Sequence, residues 1–464
     1  MKILLVVPDG VAIRNYIYTS LISKLMDKGA EIQIYHRISN SAIDEINKIY
    51  NGKLKFVRIS DYSENIIGTI IRETNVYARL LRNKKVLDNE TIMDFWNKNQ
   101  KTTKRKILYK TAEIFGFFVS KSNKSILFLD IIYEKLLSKN VIIKTITKDL
   151  NDFKPDIILN LHQRSTISAP IALVAKQLKI KTATVIFSWD NVPKARLIAR
   201  YDYYLVWSEL MKSEICALYD EINPLQVIVT GTPQFEFYFK KELYVSKENF
   251  FEKFGLDVNK KTICFSANDQ SSPYEANYFN DICEALNKMD ETIRPQIVLR
   301  KSPVDITNRF DATLQKYATF VFRIDPDWCY DTHDEKSFST IFPAINDNTI
   351  LVNTVKHADL VINLGSTMAH DFAVLNKPCL YLNYNPVKNS NFPVEKVYNF
   401  QHFKSMKDLS AVGWINSKSE INSKIVEALN SPELVASDRI KWMQKIVKFP
   451  LEESSDNIVN FLMK

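Results

Sequence analysis

The sequence predicts an α/β protein with two parallel-sheet domains. Short apolar runs alternate with helical patterns, which is the β-α-β order of a parallel sheet. This order is interrupted by a basic helical stretch and appears a second time after about residue 243. The length of 464 residues also exceeds that of most single domains. We therefore expect a first domain at 1–242 with a helical insertion at about 63–148, a second domain at 243–440, and a C-terminal helix at 441–464 that returns to the first domain.

The elements of the first domain follow from its apolar patterns. Lys2–Val7 is predicted as a buried strand, Arg14–Lys28 as a helix with one apolar face, and Glu31–Tyr35 as the next strand. After the insertion, further strands are predicted at Asp156–Leu161, Thr182–Phe187, Tyr201–Trp207 and Val227–Thr230. Polar residues follow several of these strands. Active-site groups of open parallel sheets collect at strand carboxyl ends, so these positions are the candidates for function.

The second domain shows the same pattern. Its strands are predicted at Thr262–Ser266, Gln296–Leu299, Phe320–Ile324, Leu360–Leu364 and Cys379–Leu382. Two terminal helical segments, Ser417–Leu429 and Asp438–Lys464, follow, and Pro450 breaks the second. The last two strands flank Gly365-Ser366-Thr367 and a short helix, and a helix N-terminus at a strand end favours phosphate. Asp371 lies one turn further, where a carboxylate can reach ribose hydroxyls. The alternative is that Gly-Ser-Thr only caps an ordinary strand–helix junction.

The composition is that of an ordinary globular protein, with 46% hydrophobic and 25% charged residues. The five cysteines include no C-x-x-C pair, which argues against disulfides or zinc and favours a reduced, cytoplasmic location. The six histidines show no metal-ligand spacing. The first apolar run is too short for a signal peptide, and no run reaches the roughly 18 apolar residues of a membrane span.

Positive charge is concentrated in one region. Residues 72–148 contain 17 Lys and Arg against 7 Asp and Glu, which accounts for the whole excess behind the net charge of +9. Lys104, Arg105 and Lys106 precede the aromatic run at 115–118, and interleaved cations and aromatics suit an anionic bilayer surface. We expect peripheral contact with the inner face of the plasma membrane. The alternative is a solvated helical insertion whose aromatics pack inward. No nucleic-acid motif accompanies the charge, so nucleic acid is not an expected partner.

Several segments resemble known families. The stretch 359–382 resembles the nucleotide-binding segment of GT-B glycosyltransferases and of UDP-N-acetylglucosamine 2-epimerases, where a Gly/Ser-rich loop, an acidic helix and a "G-K-P" turn hold a nucleotide diphosphate. Asp371 occupies the position of their ribose-binding acid, which is usually Glu. The epimerases have paired acids there, whereas this chain has His370-Asp371.

Three further segments resemble bacterial surface-polysaccharide GT-B enzymes and CDP-glycerol glycerophosphotransferases. The segment 227–237, VIVTGTPQFEF, is similar to their "G-x-P-x-F-D", and 297–305, IVLRKSPVD, is similar to "R-x-H-P-x-D" with Ser302 in place of the His. The segment 187–195, FSWDNVPKA, is similar to an "S-W-D-N" segment of capsule and O-antigen glycosyltransferases. The resemblance implies a GT-B fold, in which two Rossmann-like domains face each other across a cleft.

The resemblance also implies an activity. We expect a glycosyltransferase that moves a sugar from a nucleotide-activated donor to a surface-glycan or lipid-linked acceptor. The alternatives are a non-hydrolysing UDP-sugar 2-epimerase, a glycerophosphotransferase-like polymer synthase, and a catalytically silent protein on the same fold. No D-x-D motif stands at a strand end, because Asp325-Pro326-Asp327 has proline at its centre, so no metal or other cofactor is expected.

Roles for individual residues follow from this expected activity. The donor diphosphate is expected to contact the strand-end residues of the second domain. These donor candidates are Ser266, Asn268, Arg300, Lys301, Gly365, Ser366, Thr367 and Asp371. Asp9 and His162 are alternative catalytic bases, although Asp9 also suits a Pro-Asp-Gly turn and His162 a structural role. The residues expected to line the acceptor site are Arg14, Asn15, Asp190 and Asn191.

Overall fold

The computed structural model describes residues 1–10, 12–97, 100–330, 341–388 and 390–464. The chain divides into two compact units. The first unit contains Met1–Pro233, Phe400–His402 and Ile446–Lys464, and the second contains Gln234–Asn399 and Phe403–Lys445. Each unit is built around its own parallel sheet, so the predicted α/β class with two Rossmann-like domains is confirmed.

The first unit contains a parallel sheet that, among the described residues, has the order β3-β2-β1-β4-β5-β6-β7. Its strands are β1 (Lys2–Val7), β2 (Glu31–His36), β3 (Lys55–Arg58), β4 (Ile157–Asn160), β5 (Lys181–Val185), β6 (Tyr203–Val206) and β7 (Val227–Val229). Residues 3–7 of β1 and all of β4 are buried, because these central strands are covered on both faces. The strand order reverses between β1 and β4, which makes this pair the switch point of the sheet.

The helices of the first unit that precede residue 233 are α1 (Leu21–Asp27), α2 (Asn40–Tyr50), α3 (Ile66–Leu87), α4 (Thr103–Val119), α5 (Asn123–Leu137), α6 (Ile142–Phe153), α7 (Ser168–Leu178) and α8 (Glu209–Leu218). The prediction of one helix at Arg14–Lys28 is wrong in one respect, because this stretch forms two separate segments. Ile13–Ile17 is a π-helical turn, and α1 starts only at Leu21. Between them the hydroxyl of Thr19 donates to the Tyr16 carbonyl, and such local bonds compete with a continuous helix.

The predicted helical insertion is formed by α3 to α6. It is fastened to the rest of the unit by a cluster of partly buried ion pairs. Arg79 of α3 contacts Asp130 of α5 at 2.9 Å and Glu221 at 2.8 Å, and Arg200 contacts the same two carboxylates at 3.0 and 2.9 Å. Each of the four charges therefore has two opposite partners, which offsets the cost of removing the buried Arg79 and its partly buried partners from water. Within the described chain, no helix is both long and apolar enough to cross a bilayer.

The second unit contains a parallel sheet with the order β10-β9-β8-β13-β14-β15 in the described chain. The strands of this unit are β8 (Thr262–Ser266), β9 (Gln296–Arg300), β10 (Val321–Arg323), β11 (Trp328–Tyr330), β12 (Ile341–Pro343), β13 (Leu360–Asn363), β14 (Cys379–Leu382) and β15 (Gly413–Ile415). Strands β11 and β12 pair with each other in an antiparallel ladder. The strand order reverses between β8 and β13, so the switch point of this sheet lies there.

The remaining helices are α9 (Lys247–Phe254), α10 (Glu275–Asn287), α11 (Asp311–Lys316), α12 (Asn346–His357), α13 (Met368–Val374), α14 (Val394–Tyr398), α15 (Ile421–Asn430), α16 (Arg439–Ile446) and α17 (Ser454–Leu462). The last three lie in the two terminal segments that the sequence predicts to be helical. The chain breaks between α16 and α17 around Pro450, as its sequence predicts. Helix α17 belongs to the first unit, where it packs on α1.

Candidate functional site

In the first unit, two polar side chains meet at the switch point. Asp9 follows β1 and His162 follows β4, and these two strands are neighbours in the sheet. The Nδ1 atom of His162 lies 2.7 Å from Oδ2 of Asp9. Both side chains are largely shielded, with 16% of the His162 and 8% of the Asp9 side chain exposed. The sequence presents these residues as alternatives, whereas the structure joins them in one hydrogen-bonded dyad.

The dyad has a definite chemical capacity. A carboxylate that accepts a hydrogen bond from Nδ1 fixes the tautomer in which Nε2 carries the lone pair. That nitrogen can then accept a proton from a hydroxyl group within hydrogen-bond reach. The ring of Phe187 packs beside the imidazole, with 5.8 Å between the ring centroids. The arrangement therefore suits general-base chemistry at the carboxyl edge of the sheet.

The Ser188–Asn191 segment is held by its own hydrogen bonds. The buried Asn191 accepts from Gln163 at 3.0 Å and donates to Asp190 at 2.7 Å. The second oxygen of Asp190 pairs with Lys194 at 2.5 Å. Although burial opposes ionisation, the cationic Lys194 and the neighbouring His402 hold the pKa of Asp190 well below its usual range. Asp190 is therefore a fixed negative charge in this part of the unit.

Arg14 and Asn15 lie in the π-helical turn after β1. Asn15 is buried, and its side-chain oxygen accepts a hydrogen bond of 3.4 Å from Nε of the partly exposed Arg14. Arg164, two positions after His162, interacts electrostatically with both Asp190 and Asp9. Arg164 is not among the residues that the sequence predicts for this site. The sequence does contain an indication of its role, because Arg164 belongs to the polar run that follows β4, at the same strand end as His162.

In the second unit, two hydroxyl groups meet at the switch point. Ser266 ends β8 and Ser366 follows β13, with 3.5 Å between their Oγ atoms. The backbone N–H of Ser366 donates to the buried Asn363 at 2.8 Å, which fixes the loop before α13. Ser366 Oγ accepts a hydrogen bond of 3.4 Å from the N–H of Met368, while Thr367 is exposed and its side chain makes no capping bond. The hydroxyl that reaches the first turn of α13 is therefore that of Ser366.

Gly365 is required by the shape of this loop. Its φ angle is +66°, a left-handed conformation that L side chains rarely adopt. A Cβ atom at this position would lie 2.7 Å from the ring of Phe403, which is buried. Asp371, one turn into α13, accepts a hydrogen bond of 2.8 Å from the hydroxyl of Tyr238, another residue that sequence reasoning did not select.

Arg300 is a buried cation at this edge. It ends β9 directly opposite Ser266 in the sheet register, and its Nη2 donates to Asp347 at 2.9 Å. Its Nη1 is also buried, and within the described residues no hydrogen-bond partner faces it. Burying a guanidinium nitrogen without a hydrogen-bond partner costs free energy. An anionic oxygen that accepted a hydrogen bond from Nη1 would therefore be bound favourably.

The two other donor candidates of the second unit stabilise loops. The side-chain amide of Asn268 donates to Glu275 and to the Leu364 carbonyl, both at 2.9 Å. The ammonium group of Lys301 donates to the Thr307 carbonyl at 2.6 Å. Both side chains therefore shape the loops around the strand ends, and their predicted contact with a donor stays a prediction.

Comparisons with known proteins agree with this architecture. No protein-family model and no curated protein sequence matches the chain. The solved structures similar to this chain include the UDP-GlcNAc 2-epimerase from Neisseria meningitidis bound to UDP-GlcNAc, with 13% identity, a TM-score of 0.51 and full coverage of both chains. The UDP-GlcNAc 2-epimerase from Methanocaldococcus jannaschii has 14% identity and a TM-score of 0.51, covering 100% of this chain and 99% of that chain.

A third similar structure is a putative UDP-N-acetylglucosamine 2-epimerase from Listeria monocytogenes, with 12% identity and a TM-score of 0.55, covering 100% of this chain and 95% of that chain. At this level of identity the likeness shows a shared fold. It confirms the GT-B type of fold that the sequence motifs imply.

Proposed function

We propose that the protein is a glycosyltransferase that uses a nucleotide-activated sugar as its donor. The observation that carries this proposal is the Asp9–His162 dyad at the switch point of the first sheet. In the transfer step, an acceptor hydroxyl bonds to the anomeric carbon while the bond from that carbon to the donor phosphate oxygen breaks. The proton of the hydroxyl passes to Nε2 of His162, and Asp9 stabilises the imidazolium that results.

The second unit supplies the donor side of the proposal. The leaving nucleotide diphosphate gains negative charge, and Nη1 of Arg300 is a buried donor available to such an anion. Ser266, Gly365, Ser366 and Thr367 surround the same switch point and are assigned to the diphosphate. Asp371 is assigned to the ribose hydroxyls, with Tyr238 orienting its carboxylate. Asn268 and Lys301 are assigned to holding the surrounding loops.

The acceptor side is assigned to the first unit. Arg14, Asn15, Asp190 and Asn191 are proposed to bind a surface glycan or a lipid-linked sugar. The basic region 72–148 supports an acceptor at an anionic membrane surface, and the protein would then work in the cytoplasm at the inner face of the plasma membrane. No resident metal is assigned to the reaction.

A second function is favoured by the fold likeness. The similar structures include UDP-GlcNAc 2-epimerases, and such an enzyme needs a sugar nucleotide but no acceptor. Epimerisation at a carbon that bears hydrogen requires that hydrogen to be removed and replaced. A reaction in D2O followed by NMR separates the two functions. Transfer leaves the donor unlabelled and releases nucleotide diphosphate only with an acceptor, whereas epimerisation places deuterium on the sugar.

The decisive variants are His162→Ala and Asp9→Asn. We expect each to lower kcat by roughly 10²–10⁴-fold, because His162→Ala removes the base and Asp9→Asn removes the carboxylate that orients it. Binding of UDP, GDP or CDP, measured by calorimetry, should stay unchanged because the donor residues belong to the second unit. Normal turnover in both variants would refute the assignment of the dyad. A loss of nucleotide binding in either would show a structural effect instead.

A further inference from the structure

Helix α4 presents an unusual outer surface. Its inner face packs on α3 through Ala112 and Gly116, which are both buried. A Cβ at Gly116 would lie 2.8 Å from the ring of Tyr77 and 2.9 Å from the carbonyl oxygen of Thr74, so the two helices approach closely. The orientation of α4 is fixed by this contact, and the opposite face of the helix is therefore held towards solvent.

That outer face is strongly apolar. The side chains Ile114, Phe115, Phe117 and Phe118 are between 52% and 62% exposed. Ile107, which is 63% exposed, shares a helical line with Ile114 and Phe118 because the three are spaced by seven and four residues. We call these five residues the α4 patch. Large exposed apolar residues that are contiguous on one helix indicate a contact surface rather than ordinary surface composition.

Cations surround the α4 patch. Lys104, Arg105 and Lys106 at the start of α4 are exposed, and no carboxylate among the described residues forms an ion pair with them. Beyond the other end, the ammonium group of Lys121 lies 5.1 Å and 5.4 Å from the ring centroids of Phe117 and Phe118. Apolar side chains bordered by unpaired cations complement a bilayer, in which hydrocarbon lies beneath a layer of anionic headgroups.

We propose that the α4 patch inserts into the surface of an anionic membrane, with α4 parallel to the bilayer and its flanking lysine and arginine residues on the lipid headgroups. This surface is independent of the sugar-transfer chemistry and uses none of its residues. The occupant is a lipid bilayer rather than a soluble anion, because a free phosphate would pair with the cations but would leave the aromatic side chains in water.

The test uses the full-length protein and two kinds of vesicle, one of equal parts phosphatidylglycerol and phosphatidylcholine and one of phosphatidylcholine alone. Co-sedimentation should favour the anionic vesicles and weaken at about 0.5 M NaCl. The variant Lys104→Glu/Arg105→Glu/Lys106→Glu should bind anionic vesicles on the order of 100-fold more weakly. Failure of the wild-type protein to prefer anionic vesicles at low salt would overturn the proposal.

Two further variants locate the contact. Phe115→Ser/Phe117→Ser/Phe118→Ser keeps every charge, so it should retain only a weak binding that moderate salt abolishes. The matched control is Lys139→Glu/Lys144→Glu/Lys148→Glu, which makes the same charge change on exposed residues of the same basic region outside α4. It should lose far less binding. An unchanged phenylalanine variant would overturn insertion, and an equal loss in the control would overturn the assignment to α4. Circular dichroism and urea unfolding confirm that each variant folds.

Discussion

At the scale of single residues, the conformation of the loop before α13 depends on a residue that has no side chain. Gly365 has no Cβ, and the ring of Phe403 fills the space that a Cβ would need. The same loop carries Ser366, whose hydroxyl faces Ser266 across the switch point. The conformation of the loop and the geometry of the proposed diphosphate site are therefore determined together.

Replacing Gly365 with alanine tests this dependence. The change combines backbone strain at positive φ with a clash against a buried ring, so we expect a loss of about 2–4 kcal/mol in the free energy of unfolding. Nucleotide affinity should fall as well. Urea unfolding and calorimetry measure the two effects.

Gly255→Ala is the matched control for this change. Gly255 also has a positive φ, of +70°, but no atom lies within 4 Å of the position of its Cβ. Gly255→Ala should therefore lower the free energy of unfolding by only about 1 kcal/mol, which is the cost of the backbone strain alone. Equal losses in the two variants would mean that the contact with Phe403 contributes nothing.

The two members of the dyad show what sequence reasoning reaches at this scale. Asp9 and His162 were selected separately because each follows a predicted strand. They are 153 positions apart, and their pairing depends on β1 and β4 being neighbours in the sheet. Strand order is set by packing over the whole unit, so the local pattern identified the residues but not their contact. Tyr238 was missed for the same reason, since its partner Asp371 is 133 positions away.

At the scale of elements, helix α4 is positioned by its contact with α3. Gly116→Ala improves the intrinsic helix propensity by about 1 kcal/mol. The added methyl group would nevertheless meet the ring of Tyr77 and the backbone oxygen of Thr74, and a backbone atom cannot move aside easily. We expect a net loss of about 1–3 kcal/mol in the free energy of unfolding, measured with urea.

Phe117→Ala on the opposite face serves as the comparison. Phe117 is 53% exposed, so its replacement should change the free energy of unfolding by no more than about 0.5 kcal/mol. A stabilised Gly116→Ala variant would contradict the close approach of α3 and α4.

The first helix shows where element prediction failed. The apolar spacing of residues 14–28 indicated one helix, but the structure has a π-helical turn and then a separate α1. Apolar spacing reports which residues are buried, and Tyr18, Leu21 and Leu25, which define that spacing, are all buried. It does not report local hydrogen bonds such as that from Thr19 to Tyr16, which end one segment and precede the next.

At the scale of the whole molecule, one cluster links stability to pH. His402 packs on Trp189, with 4.7 Å between ring centroids, beside the charged groups of Asp190 and Lys194. Burial, opposed by Asp190 and reinforced by Lys194, lowers the pKa of His402 from 6.5 to about 4. The unfolded chain therefore binds this proton first as the pH falls. The contribution of His402 to stability is complete above pH 6.5 and is lost between pH 6.5 and 4.

His402→Phe keeps an aromatic ring but removes the titrating group. Between pH 7.5 and 4.5, the free energy of unfolding of the wild-type protein should fall by about 1–2 kcal/mol more than that of this variant, as measured by urea unfolding. Parallel pH profiles for the two proteins would contradict the prediction.

Glu214→Gln provides a control of opposite sign. Burial, offset in part by a hydrogen bond from Gln401, raises the pKa of Glu214 from 4.5 to about 7. The folded state favours the protonated form of Glu214, so the contribution of this residue to the stability of the protein declines as the pH rises from 4.5 to 7. Replacing it should therefore stabilise the protein near neutral pH and have little effect below pH 4.5.

The fold class is predictable from the sequence because apolar runs and their alternation with helices repeat along most of the chain. Both parallel sheets and the helical insertion were predicted on that basis. The two reversals of strand order were not, although they place the candidate residues at the switch points. The partners of Arg300 and Asp371 also depend on contacts that no local pattern encodes.

The first unit is assembled from both ends of the chain. Helix α17 packs on α1, with Asp456 pairing with Lys24 at 2.5 Å and Asn457 donating to the Thr230 carbonyl at 3.2 Å. A ribosome synthesises all the residues of the second unit before it reaches α17. The surface of α1 that packs against α17 therefore stays uncovered during synthesis of the second unit, and the native packing of the first unit forms only after α17 has left the exit tunnel.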